Sequence, residues 1–202
     1  GKAVRPLLPA TLADKVPGAS HPRARQWPTK DRPRKMLMLT GCVQPAMLPN
    51  INAATARVLD AAGIQTVIAP KAGCCGAVKF HLNDQDGGRA EMRANIDAWW
   101  PMIASGEVEA LVMNASGCGV TVREYGHFLK DDPAYAEKAQ RIGELTRDLS
   151  ELLPAIVAAL RQSRPDRVPG PPAANAGAGR HLAFHPPCSL QHGQQLRGGV
   201  EQ

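Results

Sequence analysis

The stretch Ile64–Ala77, IQTVIAPKAGCCGA, joins a short β-branched segment to two neighbouring thiols set between glycines. Ile64 to Ala69 reads as a buried strand ending at Pro70. Cys74 and Cys75 then follow in a Gly-flanked loop. In a continuing strand they would point to opposite faces, and as a disordered pair they would be an oxidation liability. The sequence therefore predicts that something holds them.

Working outward, Met36 to Leu39 (MLML) is a second short apolar run, read as a buried strand ending at Gly41-Cys42. Between the two strands, Asn50 or Asn52 is placed to cap a helix with Ile51, Ala54, Val58, Leu59 and Ala62 on one face, stopped by Gly63. After the vicinal cysteines, Met92, Ile96, Trp99 and Ile103 recur at helical spacing, with a stop between Pro101 and Gly106. Ala110 to Met113 (ALVM) predicts a third strand, running into Asn114-Ala115-Ser116-Gly117-Cys118-Gly119. Two further helical segments follow. The later one carries Ile142, Leu145, Leu149, Leu152, Ile156 and Leu160 on one stripe, kinked or restarted at Pro154. Residues 164–180 are rich in Pro, Gly and Ala and read as a linker; His181 to Phe184 then predicts a fourth strand ending at His185-Pro186-Pro187-Cys188.

Strands alternating with helices imply crossover connections, hence an α/β fold: a short parallel sheet with helices on both faces. In such sheets, sites form outside the carboxyl ends of the strands. Every cysteine of this chain follows a predicted strand end. Cys42, Cys74, Cys75 and Cys118 should therefore gather along one edge despite gaps of thirty-one and forty-two residues.

Gly41, Gly73, Gly76, Gly117 and Gly119 flank these four and suit sharp turns and close approach to a bulky ligand. Backbone N–H groups in such loops can donate to thiolate sulfur. Four cysteinates suffice for one [4Fe-4S] cluster or one structural zinc ion. Adjacent cysteines favour the cluster, since neighbouring thiolates address different irons more easily than they chelate one ion, and the zinc spacing with two residues between ligands is absent. The count alone does not choose the metal. Inert buried cysteines account for one Gly-Cys pair but poorly for three Gly-flanked strand ends. A catalytic vicinal dithiol leaves Cys42 and Cys118 without a role. His192 lies four residues after Cys188 and is weighed as surface or core rather than as a ligand, and His81 and His127 have no partner visible in sequence.

The bulk composition excludes other classes. The chain has 202 residues, 44% of them apolar, which is enough for a real core, and only 4% aromatic, so Ala, Val, Leu and Ile must fill it. The formal charge of +6 is concentrated in residues 1–36, where nine Lys and Arg face Asp14 and Asp31, while residues 37–202 carry fifteen against sixteen acids. A leader such as PRARQWPTKDRPRK reads as a solvated basic linker over residues 1–35, not as a surface for nucleic acid. Its prolines and charges leave no apolar core for a signal peptide, and the longest apolar stretch, LLPAIVAAL, is too short to span a bilayer. Five cysteines, an odd number, do not make a secreted disulfide framework. The expectation is a cytoplasmic protein with reduced thiols.

The segments GCVQP, AGCCGAVKFHLN, NASGCG and FHPPCSLQHGQ resemble the CCG cysteine-rich domain of heterodisulfide reductase B subunits and related electron-transfer proteins. PNINAATARVLDAAGI, NIDAWWPMI and VREYGHFLKDDPAYAEKA extend the resemblance to the iron–sulfur subunits of glycolate oxidase (glycolate dehydrogenase). The resemblance implies a first CCG domain over residues 36–163, with Cys42, Cys74, Cys75 and Cys118 as ligands of an iron–sulfur cluster. It also implies the start of a second, truncated CCG unit over residues 181–202, opened by Cys188 as a further candidate ligand. Such a subunit relays electrons from FAD-binding partner subunits, which oxidise glycolate to glyoxylate, towards a membrane quinone acceptor. It would stand in the cytoplasm or on the inner face of the membrane. Two departures qualify this. The family's ferredoxin-like segment does not occur before Cys42, so the chain reads as part of a longer protein. The fullest CCG motif has a second cysteine three positions after the one matched by Cys118; Thr121 stands there, which argues against the noncubane cluster of heterodisulfide reductase and leaves an ordinary cluster, zinc or an empty thiol site open.

Overall fold

The computed structural model describes residues 6–13, 26–163, 185–196 and 198. A short helix α1 (Ala10–Ala13) precedes β1 (Arg34–Met38), α2 (Gln44–Met47), α3 (Asn50–Ala61), β2 (Ile64–Val67), α4 (Ala77–His81) and α5 (Gln85–Ala104). Then come β3 (Ala110–Met113), α6 (Ser116–Arg123), α7 (Tyr125–Phe128), α8 (Ala136–Leu145), β4 (Thr146–Asp148), α9 (Leu149–Ser163) and a π-helical turn at Ser189–Gly193. The strands form one sheet in the order β2-β1-β3-β4, every neighbouring pair parallel. This is the α/β architecture that the alternating pattern requires.

Side chains alternate along each strand, and here they feed two cores. Leu37, Leu111 and Met113 face Met92, Ile96 and Trp99 of α5, together with Val122, Tyr125, Leu129 and Ile142. Met36, Met38, Ala110 and Val112 face Leu59 of α3 and Ile156 of α9. The sheet is thus covered on both sides, which explains why its strands read as continuous apolar runs.

The structure differs from the sequence expectations in three places. The stripe from Ile142 to Leu160 is not one helical segment. Thr146–Asp148 leaves the helix to become the edge strand β4, paired with Leu111–Met113. Polar side chains make the switch: Thr146 Oγ1 donates back to the Ile142 carbonyl, and the Asp148 carboxylate accepts from the N–H and hydroxyl of Ser150. As a result Leu145 packs on one core and Leu149, Leu152 and Leu160 on the other. A three-residue strand of sequence TRD has no apolar signal, so the fourth described strand is this one; the expected strand at His181–Phe184 and the 164–180 linker lie outside the described residues.

The second difference is the buried face of α3. It consists of Asn52, Ala53, Thr55, Ala56 and Leu59, while Ile51 and Val58 are exposed. Asn52 is not the cap expected from sequence; Pro49 takes that position, and Asn52 turns inward to donate to the Thr40 carbonyl. A polar network thus displaces the apolar residues from the interior. Third, the chain is anchored before Met36. Trp27 packs against the second core, the Arg32 N–H donates to Gln65, and the Arg32 guanidinium pairs with Asp60.

Candidate metal centre

Because every strand is parallel, every strand-to-helix loop that follows one leaves from the same edge. Cys42 follows β1, Cys74 and Cys75 follow β2, and Cys118 is the third residue of α6, which follows β3. The chain after β1 enters α3 on one face of the sheet, and the chain after β3 enters α6 on the other. The loops of Cys42 and Cys118 therefore border the crevice at the switch point, the usual place for a ligand in such sheets.

The four thiols meet there, all of them free. Cys74 is hydrogen-bonded to Cys42, and Cys75 to both Cys74 and Cys118. The sulfurs are linked in the order Cys42, Cys74, Cys75, Cys118, running from the exposed Cys42 to the buried Cys75 and half-buried Cys118. Burial, foremost, pushes Cys74 up to about 12; the N–H of Gly76 opposes this, and the hydrogen bond with Cys42 and the charges of Cys75 and Cys42 reinforce it. Cys75 is raised still further, first by its hydrogen bond to Cys118 and then by burial, with the Ala77 N–H acting the other way. Cys118 is lowered because the Cys75 thiol donates to it, against the effect of burial. Without a cation the group holds its protons at Cys74 and Cys75, and binding a metal must release them.

Among the described residues, no three Cys, His, Asp or Glu side chains surround a single point as ligands of one ion. Cys118 also feels the charges of Cys42 and Cys74, so the four side chains act as one interacting group. The donor set is all sulfur and receives backbone N–H groups from Gly76 and Ala77, which suits a thiolate-held centre.

The surrounding backbone is fixed by buried polar groups. Asn95 of α5 accepts from the Gly73 N–H at 2.8 Å and donates to the Cys74 carbonyl at 2.7 Å. Tyr125, fully buried at the start of α7 and stacked on Trp99, donates to the Cys75 carbonyl at 2.9 Å and accepts from Asn95. Asn52 and Asn114 join the other two loops: Asn52 donates to the Thr40 carbonyl, and Asn114 donates to Asn52 Oδ1 at 2.9 Å and Thr55 Oγ1 at 3.0 Å. Replacing Asn114 by Ala leaves those buried oxygens without their donor. Asn114→Ala is expected to cost about 1–3 kcal/mol of unfolding free energy, read by urea denaturation.

Of the five glycines flanking these cysteines, Gly41 and Gly76 adopt positive φ. At Gly76 a Cβ would also meet the Gly88 carbonyl oxygen at 2.8 Å. Gly73 and Gly117 have negative or extended backbones with open space at the Cβ position, so their presence has no steric reason here.

Cys188 stands apart from the four. It is exposed at the start of the π-helical turn, and none of the interactions that shift Cys74, Cys75 and Cys118 involves it. Its segment nevertheless docks beside α6. Ser189 Oγ lies 2.7 Å from Ser116 Oγ, and Gln194 Nε2 donates to the Ser116 carbonyl and to Asp148. His192 is exposed in that turn, and His81 is exposed at the end of α4.

Asn52, Asn95, Asn114, Tyr125 and Gln194 were not singled out from sequence as site residues. For Asn95 a signal exists: it lies three residues after Met92 and four before Trp99, on the buried stripe where a carboxamide needs partners. Nothing local marks Gln194, whose partners are far away in sequence.

Residues 36–123 match the CCG cysteine-rich domain family. The whole chain is 47% identical over 205 residues to the glycolate oxidase iron-sulfur subunit of Escherichia coli (strain K12), covering 100% of this chain and 46% of that protein. The probable glycolate oxidase iron-sulfur subunit of Bacillus subtilis (strain 168) is 34% identical over 59% of this chain and 26% of its own length. Lactate utilization protein A of Bacillus licheniformis is 25% identical over 59% of this chain and 48% of its own length. The chain thus spans half or less of the curated relatives named here. No solved structure matches.

Proposed function

We propose, on the premise that residues 36–123 belong to the CCG cysteine-rich domain family, that this chain is the iron–sulfur electron-transfer part of a glycolate:acceptor oxidoreductase. The observation that carries the reading is the meeting of four thiols from three strand ends within hydrogen-bonding reach. Four thiolates brought together suffice for a [4Fe-4S] cluster as well as for one zinc ion, and the iron-sulfur names of the relatives favour the cluster. Cys42, Cys74, Cys75 and Cys118 would hold a [4Fe-4S] cluster, and Cys188 lies on the neighbouring rim. When bound, such a cluster supplies one-electron exchange.

The chain's own residues supply the setting. Gly76 and Ala77 direct N–H groups at the sulfurs of Cys74 and Cys75, offsetting negative charge, and Asn95 and Tyr125 hold the loop that presents them. The 2-hydroxy acid would be oxidised at FAD on partner subunits, and the electrons would pass from this chain to a membrane quinone. The relatives' names divide between glycolate oxidase and lactate utilization; identity favours glycolate, at 47% and 34% against 25%. No helix among the described residues is long and apolar enough to cross a membrane.

Anaerobic purification followed by iron, acid-labile sulfide and zinc analysis tests the proposal. Iron and sulfide in matching amounts are expected. Stoichiometric zinc without sulfide would instead make the domain a zinc-stabilised interaction module.

A further inference from the structure

We propose that Tyr125 is a positioning residue that adjusts the sulfur of Cys74 through a single peptide group. The Tyr125 hydroxyl donates to the Cys75 carbonyl oxygen at 2.9 Å. The other end of that peptide is the Gly76 N–H, and it donates to the Cys74 sulfur. Hydrogen bonds at both ends of one peptide strengthen each other, because drawing electron density toward the oxygen makes the N–H a better donor. Gly76 leads from this peptide into α4 with positive φ, and the close approach of the Gly88 carbonyl excludes a side chain there.

The hydroxyl is well prepared for the role. Tyr125 is fully buried, so its polar end has no water to turn to. Asn95 donates to the same oxygen at 3.1 Å, leaving the hydroxyl proton for the Cys75 carbonyl. Asn95 also donates to the Cys74 carbonyl and accepts from the Gly73 N–H, so three consecutive residues of the loop are gripped by two side chains. Stacking on Trp99 fixes the ring. Packing alone would be served equally well by phenylalanine; the oxygen is needed to join Asn95 to the Cys75 carbonyl.

Hydrogen bonds to sulfur favour the more negative, reduced state of a thiolate-held cluster and raise its potential. In its redox form this inference rests on the proposed function; in its hydrogen-bond form it concerns the polypeptide alone. The test uses the full chain. Tyr125→Phe is expected to shift the cluster's reduction potential to more negative values, to move the Gly76 amide proton upfield in the metal-free protein, and to weaken cobalt(II) binding about tenfold. Tyr135→Phe, whose hydroxyl donates to the exposed Asp97, should change none of these.

The chain has only two tyrosines, so 3-fluorotyrosine incorporated in a Tyr135→Phe background labels position 125 alone. Its more acidic hydroxyl should move the potential and the amide proton in the opposite direction, which loss of packing cannot do, and this holds even if Tyr125→Phe folds poorly. A Gly76 amide and a potential that ignore the fluorinated hydroxyl overturn the inference. A Gly76 amide that responds in a chain lacking iron and sulfide upholds it while ending the electron-transfer reading.

Discussion

Cys118→Ser is expected to emerge from anaerobic purification without iron or acid-labile sulfide, its fold retained, whereas Cys188→Ser keeps both. Serine is nearly isosteric but remains protonated where a thiolate is needed. Position 118 also holds the sulfur that the Cys75 thiol donates to, so its loss leaves the buried Cys75 without that partner. A lost outer partner of a metal ligand already costs about 10–100-fold in affinity, and a lost ligand should cost more. The helix itself should survive, because Val122 is buried in the core, Thr121 bonds the Gly117 carbonyl and Arg123 pairs with Glu151. Elemental analysis with far-UV circular dichroism separates loss of metal from loss of fold. A thiol–disulfide enzyme built on Cys74 and Cys75 predicts the contrary: its activity would persist in Cys42→Ser and Cys118→Ser.

The second large effect is expected from Gly76→Ala. The left-handed backbone costs a non-glycine residue roughly 1–2 kcal/mol. The new methyl would stand 2.8 Å from the Gly88 carbonyl oxygen and 3.3 Å from Met92 Cγ. Met92 can shift, but the carbonyl belongs to the first turns of α5 and cannot do so cheaply; overpacking of this kind adds roughly 1–3 kcal/mol. Urea denaturation of the metal-free protein should show a loss of about 3 kcal/mol. Gly73→Ala, on the other side of the same cysteine pair, is the internal control. It meets nothing within 4 Å and has no positive φ, so it should change stability little. A pair of equal effects would mean that the loop relaxes freely.

The parts of the fold legible in sequence were those whose signal is local. MLML and ALVM are short apolar runs, and burial on both faces of the sheet gives them that composition. The gathering of the four thiols followed from topology alone, since parallel strands put all their carboxyl ends on one side. β4 was hidden because its burial is satisfied by polar partners: Thr146 and Asp148 are buried through hydrogen bonds, which hydrophobic patterning does not register. The face of α3 was misjudged for the same reason. Asn52 and Thr55 face inward to serve Thr40 and Asn114, leaving Ile51 and Val58 outside, and only the meeting of β1 with β3 makes that intelligible. The glycines around the cysteines looked alike in sequence, yet the backbone needs left-handed geometry at Gly41 and Gly76 and not at the other three.

Three strands lend sulfur to the same crevice, with thirty-one and forty-two residues between successive contributors. Any inorganic bridge among them therefore fastens two long rings of polypeptide. By analogy with a disulfide, each such ring deprives the unfolded chain of roughly 4 kcal/mol worth of freedom. An electron carrier placed here would also be the domain's clasp, and damage to it by oxygen would loosen the sheet's edge at the same moment as it silenced the current.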